Sequence, residues 1–146
     1  MTSDDKGMGA GKTVLIVDDI EDNRDLLARG LRSSGFETIL ADGGRRALSL
    51  LASHQIDLVL LDWMMPEMDG IETLQRIRQA HSAAQLPVIM CTALSDKASV
   101  VHALHEGAND YVTKPVSLPM LRARIALHIG AAQDDAVATT SDLRGA

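Results

Sequence analysis

Four short apolar runs in this chain each stop at a residue with reactive chemistry, and that shared position constrains the fold more than any other feature. Val14-Leu15-Ile16-Val17 stops at Asp18-Asp19 and Leu58-Val59-Leu60-Leu61 at Asp62. Val88-Ile89-Met90-Cys91 stops at Thr92, and Tyr111-Val112-Thr113 at Lys114-Pro115. Runs of this kind suit strands buried on both faces of a parallel sheet. As parallel strands, all four would end along one edge, where open α/β sheets place their sites. Three carboxylates, a hydroxyl and an ammonium would then converge.

The segments between the runs carry helix spacing and caps. A fifth strand-like run, Phe36-Glu37-Thr38-Ile39-Leu40, is opened by Gly35 and closed by Asp42-Gly43-Gly44. The first helix has Leu27 and Leu31 four apart, with Gly35 where a C-terminal stop belongs. The second spans about Gly44 to Ser53 with Leu48 and Leu51 inward. The third starts at Asp69, with Glu72 completing a capping box, and buries Ile71, Leu74 and Ile77. The fourth starts near Ser95 and shows Val101, Leu104 and Ala108. The fifth starts near Ser117 with Pro119 in its first turn and Leu118, Leu121, Ile125 and Ile129 as its stripe. Five βα units cannot close an eight-stranded barrel, so the expected fold is α/β, an open doubly wound five-stranded parallel sheet, for which the order 2-1-3-4-5 is taken.

Size and composition narrow the rest. The chain has 146 residues, enough for one domain with a core of its own. It is 46% hydrophobic but only 2% aromatic, so the core is aliphatic. A formal net charge of -6 argues against a general nucleic-acid surface. The single cysteine, Cys91, excludes an internal disulfide framework and fits a reducing cytosol. No apolar run nears the roughly 20 residues of a membrane span. The acidic, Gly-rich start does not read as a signal peptide, and a cytoplasmic location is expected. Residues 1–11 read as a flexible N-terminal segment, 12–130 as the domain, and 131–146 as a linker or disordered tail.

The chemistry of the edge follows from its residue types. In the order 2-1-3-4-5 the first and third strands are neighbours, which brings Asp18 and Asp19 to Asp62. Carboxylates this close repel one another, and a hard divalent cation such as Mg²⁺ relieves that conflict. Asp62 could then attack a phosphoryl group in line, with Lys114 and the Thr92 hydroxyl stabilising the equatorial oxygens. The product would be an acyl phosphate. Singly these residues have plainer uses. An acidic pair after a strand caps the next helix, an Asp before Pro66 turns the chain, and Thr and Lys suit strand ends and surfaces.

At this point the chain resembles the receiver domain of two-component response regulators, whose sheet is flavodoxin-like. The resemblance covers about Thr13 to Gly130. It rests on VLIVDD (14–19), LVLLDWMMPEMDG (58–70), PVIMCTA (87–93), GANDYVTKP (107–115) and the helix beginning near Ser117. It implies Asp62 as phosphoacceptor, and Mg²⁺ (with Mn²⁺ as a substitute) held by Asp19, Asp62 and the Met64 backbone carbonyl, with Asp18 acting through water. It further implies that Thr92 and Lys114 contact the phosphoryl group and that the Lys114–Pro115 bond is cis. The donor would be a phosphohistidine on a sensor histidine kinase or phosphotransfer protein, or a small acyl phosphate. Thr92 and Tyr111 would form the switch that reshapes the face of the fourth helix, fifth strand and fifth helix, read by an output domain or partner. The same face would serve a homodimer. Met64 and Leu94, large and apolar, would flank the path of hydrolytic water, so slow loss of phosphate is expected. The chain would be no enzyme beyond its own phosphorylation and dephosphorylation.

Rival readings are weaker. Gly9-Ala10-Gly11-Lys12-Thr13 resembles the end of a P-loop, but the required earlier glycine is Lys6 and the stretch precedes a strand. An aspartate-nucleophile phosphatase needs an acid two residues after the nucleophile, where Met64 stands. A pseudo-receiver, docking partners without phosphorylation, is the other alternative. His102, His105 and Glu106 read as helix surface, Arg45-Arg46 as solvated charge, and Cys91 as a small buried hydrophobe. Met120 and Leu127 lie off the core stripe and suit dimerisation, a helical linker or ordinary packing. The match leaves no room for a second folded domain, so either a stand-alone regulator or part of a longer protein with a linker from about Ala131 is expected.

Overall fold

The computed structural model describes residues 9–129. Its elements run β1 (Thr13–Val17), α1 (Glu21–Arg32), β2 (Glu37–Ala41), α2 (Gly44–Ser53), β3 (Leu58–Leu61), α3 (Gly70–Ala80), β4 (Val88–Thr92), α4 (Lys97–His105), β5 (Asp110–Thr113) and α5 over 118–129. The strands are parallel, as expected from the βα alternation, and lie in the expected order β2-β1-β3-β4-β5. The expected tail, 131–146, and residues 1–8 of the expected N-terminal segment lie outside the described residues. Gly9, within that segment, is buried, and its N–H donates to the Ser34 carbonyl at 3.1 Å. Among the described residues no helix is long and apolar enough to cross a membrane.

Because strand side chains alternate faces, each aliphatic run feeds two cores. Val14, Ile16, Leu58, Leu60, Ile89, Cys91 and Val112 pack under α1 and α5 against Leu27, Leu31, Leu121 and Ile125. Leu15, Val17, Val59, Leu61, Val88 and Met90 pack on the other face against Ala47, Leu50, Ile71, Leu74, Ile77 and Ala103. Leu31, Leu121 and Ile125 are fully buried, each burial contributing about 1.5–3 kcal/mol. The aliphatic runs are therefore continuous because both faces are covered.

Local rules place the helix ends. α1 ends at Arg32, and the chain leaves it through Gly35, whose φ of 95° lies in the left-handed region that favours glycine. The Asp69 carboxylate caps α3 by accepting the Glu72 N–H at 2.9 Å. The capping box is only half made, because the Glu72 carboxylate turns to Arg76 at 3.3 Å instead. In α2 the deepest residues are Ala47 and Leu50, with Leu48 and Leu51 half-buried at the core margin. The fourth helix departs most from expectation. Its cap is Asp96, Ala103 is its one buried residue, and Val101 and Leu104 stay 55% and 45% exposed. Each residue turns a helix by about 100°, so putting Ala103 on the sheet swings its neighbours toward solvent.

Candidate functional site

The register of the sheet assembles the site. Val17 pairs with Leu61, so Asp18 and Asp62, one residue beyond each, emerge side by side. The Asp62 N–H donates to the Val17 carbonyl at 3.0 Å. Thr92 pairs with Thr113, and the Lys114 N–H donates to the Thr92 carbonyl at 2.9 Å. The Lys114–Pro115 bond is cis, in agreement with the resemblance. Lys114 Nζ donates to Asp18 Oδ2 at 2.9 Å and to Asp62 Oδ2 at 3.1 Å. Asp18 and Asp62 are almost wholly buried, and Thr92 completely so.

The loop after β3 is pinched shut at its ends, beside Asp62. Gly70 N–H donates to the Trp63 carbonyl at 2.8 Å. A Cβ on Gly70 would come within 2.3 Å of the Asp62 carbonyl oxygen, so only glycine fits. Glu67, in the same loop, has a φ of 67°, an uncommon conformation for a non-glycine residue. A backbone hydrogen bond from Met64 reaches the Asp62 carboxylate.

Electrostatics decide what the cluster can do. Burial pushes the Asp62 carboxyl above the ordinary aspartate range, and the Lys114 ammonium only partly offsets it. The charge on Asp18 adds to the upward push. Burial by itself would lower Lys114, but hydrogen bonds to Asp18 and Asp62 outweigh it and hold the ammonium above its usual value. Cys91, beside the site, has its thiol pushed up to about 12 by burial and is therefore inert.

One oxygen from each of Asp18, Asp19 and Asp62 lies within 4.8 Å of the others. With three carboxylates ionised and one ammonium, two negative charges stay uncompensated. Asp19 Oδ1 is buried with no hydrogen-bond partner, the one such side-chain atom among the described residues. Oxygen donors, excess negative charge and an orphaned buried oxygen together fit a hard divalent cation such as Mg²⁺.

Thr92 and Tyr111 meet through a residue that sequence reasoning had placed only beside the water path. The Leu94 N–H donates to Thr92 Oγ1 at 3.3 Å, and the Tyr111 hydroxyl donates to the Leu94 carbonyl. Tyr111 is half-buried, and burial raises its phenol, with Asp96 adding to the effect. The Met64 side chain is 61% exposed. The stretch Gly9–Lys12 is a turn that leads into β1, unlike a P-loop, and Arg45-Arg46 are exposed on the first turn of α2. His102 Nε2 lies 3.9 Å from Glu106 on the surface of α4, as the spacing suggested.

Two contacts were not anticipated. The Trp63 ring meets the His102 ring edge-on, with centroids 5.6 Å apart. Asp110 takes His128 at 2.9 Å and Arg124 at 3.5 Å, tying α5 to β5. The four-residue spacing of Arg124 and His128 on one helix face was the available signal for the second. No local pattern signals the first.

Comparison with known proteins agrees with this geometry. Residues 14–126 match the family described as the response regulator receiver domain. The chain is 38% identical over 115 residues to the phosphate regulon transcriptional regulatory protein PhoB of Pseudomonas aeruginosa, covering 79% of this chain and 50% of that protein. It is 41% identical over 117 residues to a probable cyclic di-GMP phosphodiesterase of Vibrio cholerae, covering 80% of this chain and 26% of that protein. The solved receiver domain of a Francisella response regulator superposes with a TM-score of 0.76 at 31% identity, over 82% of this chain and 98% of that one. The chain thus spans about half or less of the length of these two curated relatives.

Proposed function

The chain belongs to the response regulator receiver domain family, and from that premise we propose that it accepts a phosphoryl group on Asp62 from a sensor histidine kinase or phosphotransfer protein. The observation that carries this reading is the Lys114 ammonium held at hydrogen-bond distance from both Asp18 and Asp62. Asp18, Asp19, Asp62 and the Met64 backbone carbonyl would hold Mg²⁺ or Mn²⁺, with Asp18 acting through water. When bound, the cation supplies the positive charge that these carboxylates and an incoming phosphoryl group lack.

The protein's own groups perform the transfer. An ionised Asp62 oxygen attacks phosphorus as the donor's P–N bond breaks, and the electron pair returns to the donor imidazole nitrogen. A P–O bond to Asp62 forms, giving an acyl phosphate. Lys114 and the Thr92 hydroxyl stabilise the phosphoryl oxygens. Thr92 and Tyr111 both bond Leu94, so a hydroxyl drawn toward the phosphate releases one bond on the segment entering α4. The α4–β5–α5 face, with Val101, Leu104, Met120 and Leu127 exposed, is the surface for an output domain, a partner or a second copy. We place the activity in the cytoplasm, with no chemistry on an outside substrate.

Acetyl phosphate with Mg²⁺, followed by intact mass, tests this reading. A gain of about 80 Da is expected in the parent and not in Asp62→Asn. No gain with any donor or divalent cation would leave a docking module that works without phosphorylation. The decay of the phosphorylated species is expected to take much longer than seconds, because Met64 and Leu94 cannot orient water.

Stability also has an expected pH dependence. The Asp62 carboxyl lies above its ordinary value, so the folded protein takes up its proton at a higher pH than an unfolded aspartate would. Without added divalent cation, the stability gained by Asp62→Asn is therefore expected to shrink as the pH falls from neutral through the raised Asp62 value. A gain that stays constant over that range would contradict the burial of Asp62. By the same sign, Asp62→Asn removes a destabilising charge at neutral pH and should raise the melting temperature.

A further inference from the structure

α4 is held to the domain by few contacts, and one of them comes from the residue next to the phosphoacceptor. Ala103 is the only buried residue of α4. Its C-terminal end is clipped to α3, where Gln75 Nε2 donates to Glu106 Oε1 at 2.8 Å and Arg78 Nε donates to the Gly107 carbonyl at 2.9 Å. Its N-terminal end follows Leu94, the residue bonded by Thr92 and Tyr111. Between these ends, the ring of His102 rests edge-on against Trp63 at 5.6 Å and 66°. This is the one aromatic pair among the described residues.

The Trp63 backbone has little freedom of its own. It follows Asp62 directly, and its carbonyl accepts the Gly70 N–H at 2.8 Å. A Cβ on Gly70 would sit 2.6 Å from Trp63 Cα, so α3 crowds the backbone here. A shift at Asp62 is therefore passed to the Trp63 ring, which has α4 leaning on it. Edge-to-face packing of this kind depends on orientation, so a small rotation of one ring changes the fit of the other.

We propose that the Trp63–His102 contact is a second linkage between the site and α4, acting beside Thr92 and Tyr111, by which the state of Asp62 sets the position of α4. The inference rests on Asp62 being the group whose state changes. Trp63 and His102 are positioning residues, since neither touches a reacting atom. Coupling of this sort is established only by perturbing both ends.

Amide hydrogen exchange over Lys97–His105 in the full chain tests it, in the parent, His102→Ala and His102→Phe. Each is compared in two changes of site: acetyl phosphate with Mg²⁺, and the substitution Asp62→Asn, which needs no donor. Intact mass records phosphate uptake alongside. In the parent, exchange over α4 is expected to change with the site. In His102→Ala that change should shrink by at least about threefold at equal phosphate uptake, and His102→Phe should restore it. An undiminished change in His102→Ala, or no change over α4 in the parent in either comparison, overturns the linkage. If the parent takes up no phosphate, the phosphoacceptor reading fails, and the Asp62→Asn comparison decides the linkage by the same criteria.

Discussion

α4 and α5 both pack beside β5, yet they are held in opposite ways. α5 sinks Leu121 and Ile125 completely into the core and Ile129 almost so, and the Asp110 carboxylate ties it to the strand through His128 and Arg124. α4 buries one alanine and leaves Val101 and Leu104 in solvent. The difference lies in side-chain volume at the facing positions. An isoleucine or leucine buried there adds about 1.5–3 kcal/mol, whereas an alanine adds little. A helix with so small an apolar anchor is drawn from the low-stability end of the fold, where elements that move are found. The domain thus has one wall that stays and one that can respond.

The contrast can be broken most forcefully at its strong side. Ile125→Ala is expected to cost about 2–5 kcal/mol in denaturant unfolding, since it empties a fully buried position. A loss below about 1 kcal/mol would mean that α5 is no better anchored than α4.

A smaller effect is expected at the clip on the end of α4. The Arg78 guanidinium donates to the carbonyls of Gly107, His81, Ser82 and Leu86 and to Asn109 Oδ1, and among the described residues it makes no salt bridge. Burial accordingly lowers its pKa. Arg78→Leu strands those acceptors and should cost about 1–3 kcal/mol. The loss should appear as faster amide exchange at the C-terminal end of α4 before any change over α5. Equal acceleration in both helices would show that Arg78 supports the whole domain and not α4 in particular.

Least is expected of Leu104→Ser. An exposed position on a loosely held helix should change stability by no more than about 0.5 kcal/mol. A larger loss would show that Leu104 is covered in solution, and concentration-dependent elution would then identify a second copy as the cover.

Much of the fold was legible because both periodicities were clean. The aliphatic runs gave β3 with its observed bounds and the other four strands within one residue, β2 starting one residue late because Phe36 is buried just ahead of it. Caps and glycines placed α1 and α3, because a capping carboxylate and a left-handed glycine are local requirements. α4 was misjudged because Val101, Leu104 and Ala108 have helical spacing whether or not anything faces them. The capping box was over-read for a similar reason, as Arg76 competes for Glu72. In the site, the carboxylates and Lys114 could be named from strand ends alone. The junction at Leu94 and the Trp63–His102 contact could not, because they join residues with no common pattern.

The sequence by itself determined the parallel sheet and the identity of the groups at its edge, because strand period, strand ends and residue chemistry are all written locally. Only the tertiary structure decided that Lys114 bridges two carboxylates while Asp19 keeps an unpaired oxygen, and that α4 turns an alanine to the core. Those outcomes depend on how the strands register and on how much volume each helix brings to the sheet, quantities that exist only once the chain has packed.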